Sequence, residues 1–364
     1  MQRVAGFDGL RGVLAVYVMV GHMAPFAGLP DWIARLVSHG GAAVDMFFIL
    51  SGFVIAQSLH RFAGQPVAFV MARAGRTMPA YIPVFLCAVF IQLLPTGLRW
   101  MQWIAQDNPG RAIWSEGWPA HGTAEIVLHL TMLHGMIPDG VLPDAWVSFL
   151  GAAWSLSTEW QFYLVALLVA RTGVDVRAIA RALIIIAIFG VIWEFAAPEP
   201  LRLSRAFLAN KAHYFALGAA SWVLLNTGAA AARFFGLVFG AVMLLVAIKS
   251  DFATSSAGKF LPPIVWTFCL AIESRRSLEP VRSLLCWGPI QWLGTISYSL
   301  YLVNEPVQKM IGLGLALAVR GDEAHFTAFW IPLAIAVPIA VAAMLQRVVE
   351  RPAAEWVRRR LPSR

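Results

Sequence analysis

The stretch Phe7–His22, FDGLRGVLAVYVMVGH, places Asp8, Arg11 and His22 in an otherwise apolar run. An imidazole exchanges protons near neutral pH, and a guanidinium holds anions. Titratable groups inside a bilayer are costly to place, which marks them as functional candidates. Arg11 and His22 are eleven positions apart. At ~100° and ~1.5 Å per residue, that spacing returns to nearly one helix face and separates them by roughly 16 Å along the axis. One face therefore carries a cation toward one membrane surface and an imidazole toward the other.

Four further groups have chemical potential. Asp45 opens a second apolar run, GGAAVDMFFILSGFVIA, at a depth expected to match that of His22. An Asp–His pair would fix the ring's tautomer and stabilise imidazolium, so Asp45 is expected to orient His22 or else to cap its helix. Arg73 and Arg76, three apart, share a helix face. Arginines at such a position either bind phosphates bidentately or mark a cytoplasmic loop. In WSLSTEWQFYLV, Ser155, Glu159 and Tyr163 recur every fourth residue as one polar stripe beside Trp154. Glu159 falls near mid-membrane and needs a partner, an arginine or a substrate. In ISYSLYLVNEP, Tyr301 and Glu305 are four apart with Asn304 beside them, and Pro306 loosens the helix. Asn304 and Glu305 are expected either to meet a substrate near the outer surface or to anchor the interface there.

These groups need a membrane scaffold to position them. The 364 residues are 59% hydrophobic and 13% charged, with mean hydropathy +0.69. Soluble domains run to roughly 45–50% apolar and about 25% charged. The composition predicts an all-α, polytopic transmembrane helical bundle of about ten spans, each of about 20 residues. The spans are read near 7–26, 41–59, 78–95, 147–170, 182–197, 207–225, 234–248, 260–272, 290–313 and 328–345. A polar connection from Thr96 to Trp146 contains an apolar segment, Thr123–Met136, read as interfacial or re-entrant. The tail, QRVVERPAAEWVRRRLPSR, reads as a basic amphipathic helix suited to a membrane surface.

The net charge is +8. The basic residues lie at helix ends and form no single patch, which argues against nucleic acid. Cys87, Cys269 and Cys286 form no metal or disulfide pattern, so no metal is expected. With ten spans both termini share a side. The loops on that side, with Arg3, Arg61, Arg171, Arg275, Arg276, Arg282 and the tail to Arg364, hold most of the arginines. The termini are therefore expected to be cytoplasmic.

Six stretches in order resemble the acyltransferase-3 family of integral membrane acyltransferases: FDGLRGVLAVYVMVGH, GGAAVDMFFILSGFVIA, RAGRTMPAY, WSLSTEWQFYLV, GTISYSLYLVNEP and VERPAAEWV. The resemblance implies a bacterial inner-membrane enzyme moving an acyl group, most simply acetyl, from acyl-CoA to a hydroxyl of a carbohydrate or other cell-surface acceptor. It carries an Arg-x10-His pattern onto Arg11 and His22, and an Arg-x-x-Arg pattern onto Arg73 and Arg76. Asn304 departs from it, since many members have histidine there. Some members add an extracytoplasmic hydrolase-like domain; here residues 1–364 read as a single membrane-embedded domain.

On this reading His22, Asp45 and Glu159 are catalytic candidates, with His22 the base or an acyl acceptor. Arg11, Arg73 and Arg76 would bind acetyl-CoA or another acyl-CoA. Trp154, Ser155, Tyr163, Tyr301, Asn304 and Glu305 would meet a carbohydrate or small-molecule hydroxyl acceptor. Membrane lipid is the other expected partner, and homo-oligomer formation is left open. A transporter or flippase is the alternative, because intramembrane charges also line transport paths; the halves show no internal repeat to support it.

Overall fold

The computed structural model describes residues 4–95, 98–108, 110–114, 117–171, 175–227, 230–250 and 257–361. Arg3, Arg364 and Thr96, which entered the sequence reading, lie outside them. Among the described residues the regular structure is helical, with no strand. An apolar environment requires each backbone N–H and C=O to be satisfied within its own segment, which a helix does.

Among the described residues, ten helices are eighteen residues or longer: α1 (Ala5–Met23), α2 (Gly40–Arg61), α3 (Pro66–Ile91), α4 (Ala153–Ala170), α5 (Val176–Ala196), α6 (Leu208–Asn226), α7 (Ala230–Ser250), α8 (Ala257–Ser274), α9 (Gly288–Val319) and α10 (Glu323–Leu345). Six of them, α1, α2, α3, α5, α7 and α10, are long and apolar enough to cross a membrane. The other four include α4 and α9, which carry the polar stripes read from the sequence.

Three starts differ from the sequence reading by six residues or more; of these, α4 begins later, at Ala153. The helix α3 begins at Pro66, a residue pre-shaped for a first turn, and so contains Arg73 and Arg76 within its body. Likewise α5 starts at Val176 and takes in Arg177 and Arg181. Long basic side chains can extend along a helix toward water, so an arginine does not by itself end an apolar run. At 32 residues, α9 is about 48 Å long and outruns a bilayer core of ~30 Å.

The closest pairings are α1 with α9, α2 with α6, α5 with α6 and α9 with α10. Glycines permit the first two. A Cβ on Gly12 would lie 2.6 Å from the backbone N of Gly294, and one on Gly218 would lie 1.9 Å from the carbonyl O of Ile49. Small residues at such crossings let backbones approach closely, which matters where lipid offers little hydrophobic drive.

The connection between α3 and α4 folds back onto the bundle. Phe26 stacks on Trp114 with centroids 3.8 Å apart, and Trp330 packs edge-on to both. Within it, Gly122–Leu130 is a nine-residue helix of roughly 13 Å, too short to cross. His129, on this helix, and His134, just past it, are buried, their rings stacked at 3.8 Å. After α10, residues Gln346–Glu350 wind as a π-helix, and Arg351–Arg360 form the expected amphipathic tail helix.

Candidate active site

At the end of the bundle that holds both termini, a cleft of about 970 Å³ opens between α1, α2, α3, α9 and the tail helix. Arg11, Arg61, Arg73, Arg76 and Arg358 line it, against Asp8 and Glu350. Arg73 and Arg76 share a wall, as their three-residue spacing implies. Arg11 lies near Asp8, with 3.8 Å between charged atoms. Glu350 accepts a hydrogen bond from Ser299 Oγ at 2.8 Å.

The cleft narrows into a chamber of about 90 Å³ that shares Arg11, Arg73, Arg76 and Tyr298 with it and adds Ser51, Ser155, Glu159 and Tyr301. The polar stripe of α4 is built into this wall. Arg73, only 7% exposed, donates from Nη2 to Tyr163 Oη at 2.7 Å and to Glu159 Oε1 at 3.4 Å. Ser51 Oγ donates to the same carboxylate oxygen at 2.5 Å, and Tyr163 Oη also donates to it. The partner that Glu159 needed is therefore an arginine. Arg73 Nε is buried with no hydrogen-bond partner among the described residues. Ser155, the third member of the stripe, instead bonds Tyr301 Oη at 2.8 Å.

His22 has a partner that the sequence reading did not assign. Its Nδ1 lies 2.6 Å from Asn304 Oδ1. Asn304 is fully buried, and its Nδ2 donates to the carbonyls of Leu300 at 3.0 Å and Tyr301 at 2.7 Å. Those bonds assign the amide orientation and turn Oδ1 toward the ring. Nδ1 is therefore the donor, and in the neutral ring Nε2 keeps its lone pair. Asn304 lies about one helical turn along α9 from Tyr301, so His22 stands just past the chamber, on neither its lining nor the cleft's.

Asp45 does not orient His22. It is buried and takes Lys211 Nζ at 2.7 Å. Its helix brings it to α6, and the pair lies in a second cleft at the opposite end. Lys211 carried no motif in the sequence; a cation in an otherwise apolar run was the available signal. Glu305 is not an interface anchor. It is buried and accepts from the backbone N of Gly151 at 3.4 Å. Trp154 packs edge-on to Phe48 and lies under Arg205 and Lys211. Among the described residues, no group of three or more His, Cys, Asp or Glu side chains is placed to hold a metal ion.

Residues 4–345 match the family described as an acyltransferase domain. The chain belongs to the acyltransferase-3 family. It is similar to the acyltransferase MdmB of Streptomyces mycarofaciens, 26% identical over 99% of this chain and 94% of that one. It is also similar to the O-acetyl transferase of Shigella phage Sf6, 25% identical over 84% and 85% of the two chains. No solved structure matches it. Membership makes this multi-pass membrane protein an enzyme that transfers acyl groups, and favours that reading over a transporter.

Proposed function

We propose that the protein is a membrane O-acyltransferase, most simply an O-acetyltransferase, that draws acyl-CoA from the cytoplasm and delivers the acyl group to a hydroxyl of a carbohydrate or other surface acceptor. The observation that carries this is the basic cleft that narrows into a polar chamber. Coenzyme A is a polyanion with a thin thioester-bearing arm. Five arginines against two carboxylates suit its phosphates, and the narrow chamber suits the arm and a small acyl group. The cleft opens at the end of the bundle that carries the termini and most basic loops, which supports a cytoplasmic face there and an inner-membrane location.

In this reading His22 Nε2 takes the proton of the acceptor hydroxyl as its oxygen attacks the thioester carbonyl; the C–S bond then breaks, and the imidazolium passes that proton to the departing CoA thiolate. The imidazolium is stabilised through Nδ1 by Asn304. The hydroxyls of Tyr301 and Ser155 lie nearest the place where the oxyanion develops. In this reading their mutual hydrogen bond opens when acyl donor fills the chamber. Arg73 is held by Glu159 and Tyr163 at the neck, facing the arm of the donor.

Titration of the purified protein with CoA and with acetyl-CoA, followed by release of free CoA, tests this. Binding weakened by Arg76→Gln, with CoA release abolished by His22→Ala, is expected. Binding of CoA at wild-type strength in both Arg73→Gln and Arg76→Gln would remove the donor site from this cleft.

A further inference from the structure

We propose that the cleft at the opposite end of the bundle is a phosphoryl-binding site. It opens among α2, α5, α6, α7 and α8 with a volume of about 1040 Å³. Asp45, on its wall, lies sixteen positions along α2 from Arg61 of the first cleft, about 24 Å away along the axis. The two clefts are therefore separate.

Five cations, Arg202, Arg205, Lys211, Lys249 and Lys259, line it against the carboxylates of Asp45 and Glu194. Asp45 neutralises Lys211. Among the described residues the side-chain hydrogen bonds of Lys249 and Lys259 go to neutral acceptors. Lys249 Nζ donates to Asn210 O at 3.2 Å and lies 3.5 Å from its Oδ1, and Lys259 Nζ donates to Lys249 O at 3.2 Å. An ammonium has three donors, so both keep capacity for an anion.

A second observation points to a ligand. His213 lies on the same wall, is 2% exposed, and its Nδ1 has no hydrogen-bond partner among the described residues. Buried polar atoms are nearly always partnered, so this ring nitrogen is an unmet polar group beside the cleft. Arg205 and Lys211 are steadied over the Trp154 ring, at 5.2 and 5.9 Å from its centroid. The next residue, Ser155, closes the reaction chamber. An anion held here thus sits against the far side of the transfer site. A single carboxylate would leave most of the excess cation charge unmatched; a phosphomonoester or diphosphate would not. That chemistry is shared by a phosphate borne on the acceptor and by a lipid headgroup. Assigning it to the acceptor rests on the function proposed above, whereas the phosphoryl site itself does not.

The test is titration of the full protein in phosphatidylcholine nanodiscs with inorganic pyrophosphate. Two classes of site are expected, one weakened by Arg76→Gln and the other at least tenfold by the double change K249Q/K259Q. Wild-type binding in the double variant, or loss of all binding in Arg76→Gln alone, overturns the proposal. If the double variant does not fold, K259Q alone, at a partly exposed position, is expected to weaken the second class threefold or more; no change overturns the proposal. In phosphatidylglycerol nanodiscs, loss of the Lys259-dependent class supports the site and gives it to headgroups. Retention supports the site and gives it to a free or acceptor-borne phosphate. Failure of the donor reading shows separately, as absent CoA binding with this pyrophosphate class intact.

Discussion

Asn304 tests the catalytic geometry most directly. Replacing it with Leu keeps the volume but removes the oxygen that accepts from His22 Nδ1. A buried donor left without its acceptor costs about 1–3 kcal/mol. If that loss falls on the transition state, where Nδ1 must stabilise imidazolium, kcat drops about 5- to 150-fold at ~1.4 kcal/mol per decade. The assay is single-turnover release of free CoA from acetyl-CoA by protein in nanodiscs. The KM for acetyl-CoA is expected to stay within about twofold, because Asn304 lies outside the cleft proposed to hold the donor. Asn304→Asp supplies the conservative control. It keeps an acceptor, retains most activity, and its charge raises the basicity of the imidazole, so the acid limb of the kcat/KM profile moves to higher pH. A leucine variant with unaltered kcat and pH profile would refute the assignment of Asn304 as the group that positions His22.

Three other outcomes are expected. Arg76→Gln should raise the Kd for CoA about 10- to 150-fold, the worth of a charge-assisted bond of ~1.5–3 kcal/mol, and calorimetry should show the effect shrinking in high salt. Glu159→Gln should lower stability by about 3–5 kcal/mol, read as a fall in Tm, because Arg73 is then a buried cation without its counter-charge. The stacked imidazoles of the connection between α3 and α4 should make the protein acid-labile. Burial pushes His134 down to about 4, and burial with its neighbour His134 holds His129 well below the usual range. The unfolded chain takes up these protons first, so stability is level above pH ~6.5 and falls as pH drops toward ~4, by about 1.4 kcal/mol per pH unit for each imidazole. Melting curves at pH 8, 6 and 5 check this, and His134→Gln should flatten the decline.

Local spacing carried much of this protein. Apolar runs of membrane length announced the helices, because a lone segment in lipid must satisfy its own backbone. The i, i+3 and i, i+4 relations put Arg73 with Arg76 and Glu159 with Tyr163, since neighbours on one helix face follow from helix geometry alone. What the tertiary structure decided is which faces meet. Asn304 reaches His22 across 282 positions and Lys211 reaches Asp45 across 166. Those pairings depend on glycine-mediated crossings of α1 on α9 and α2 on α6, whose angle and register no single helix encodes. The second basic cleft was illegible for the same reason. Its cations come from the connection before α6 and from α6, α7 and α8, and only packing gathers them into one wall.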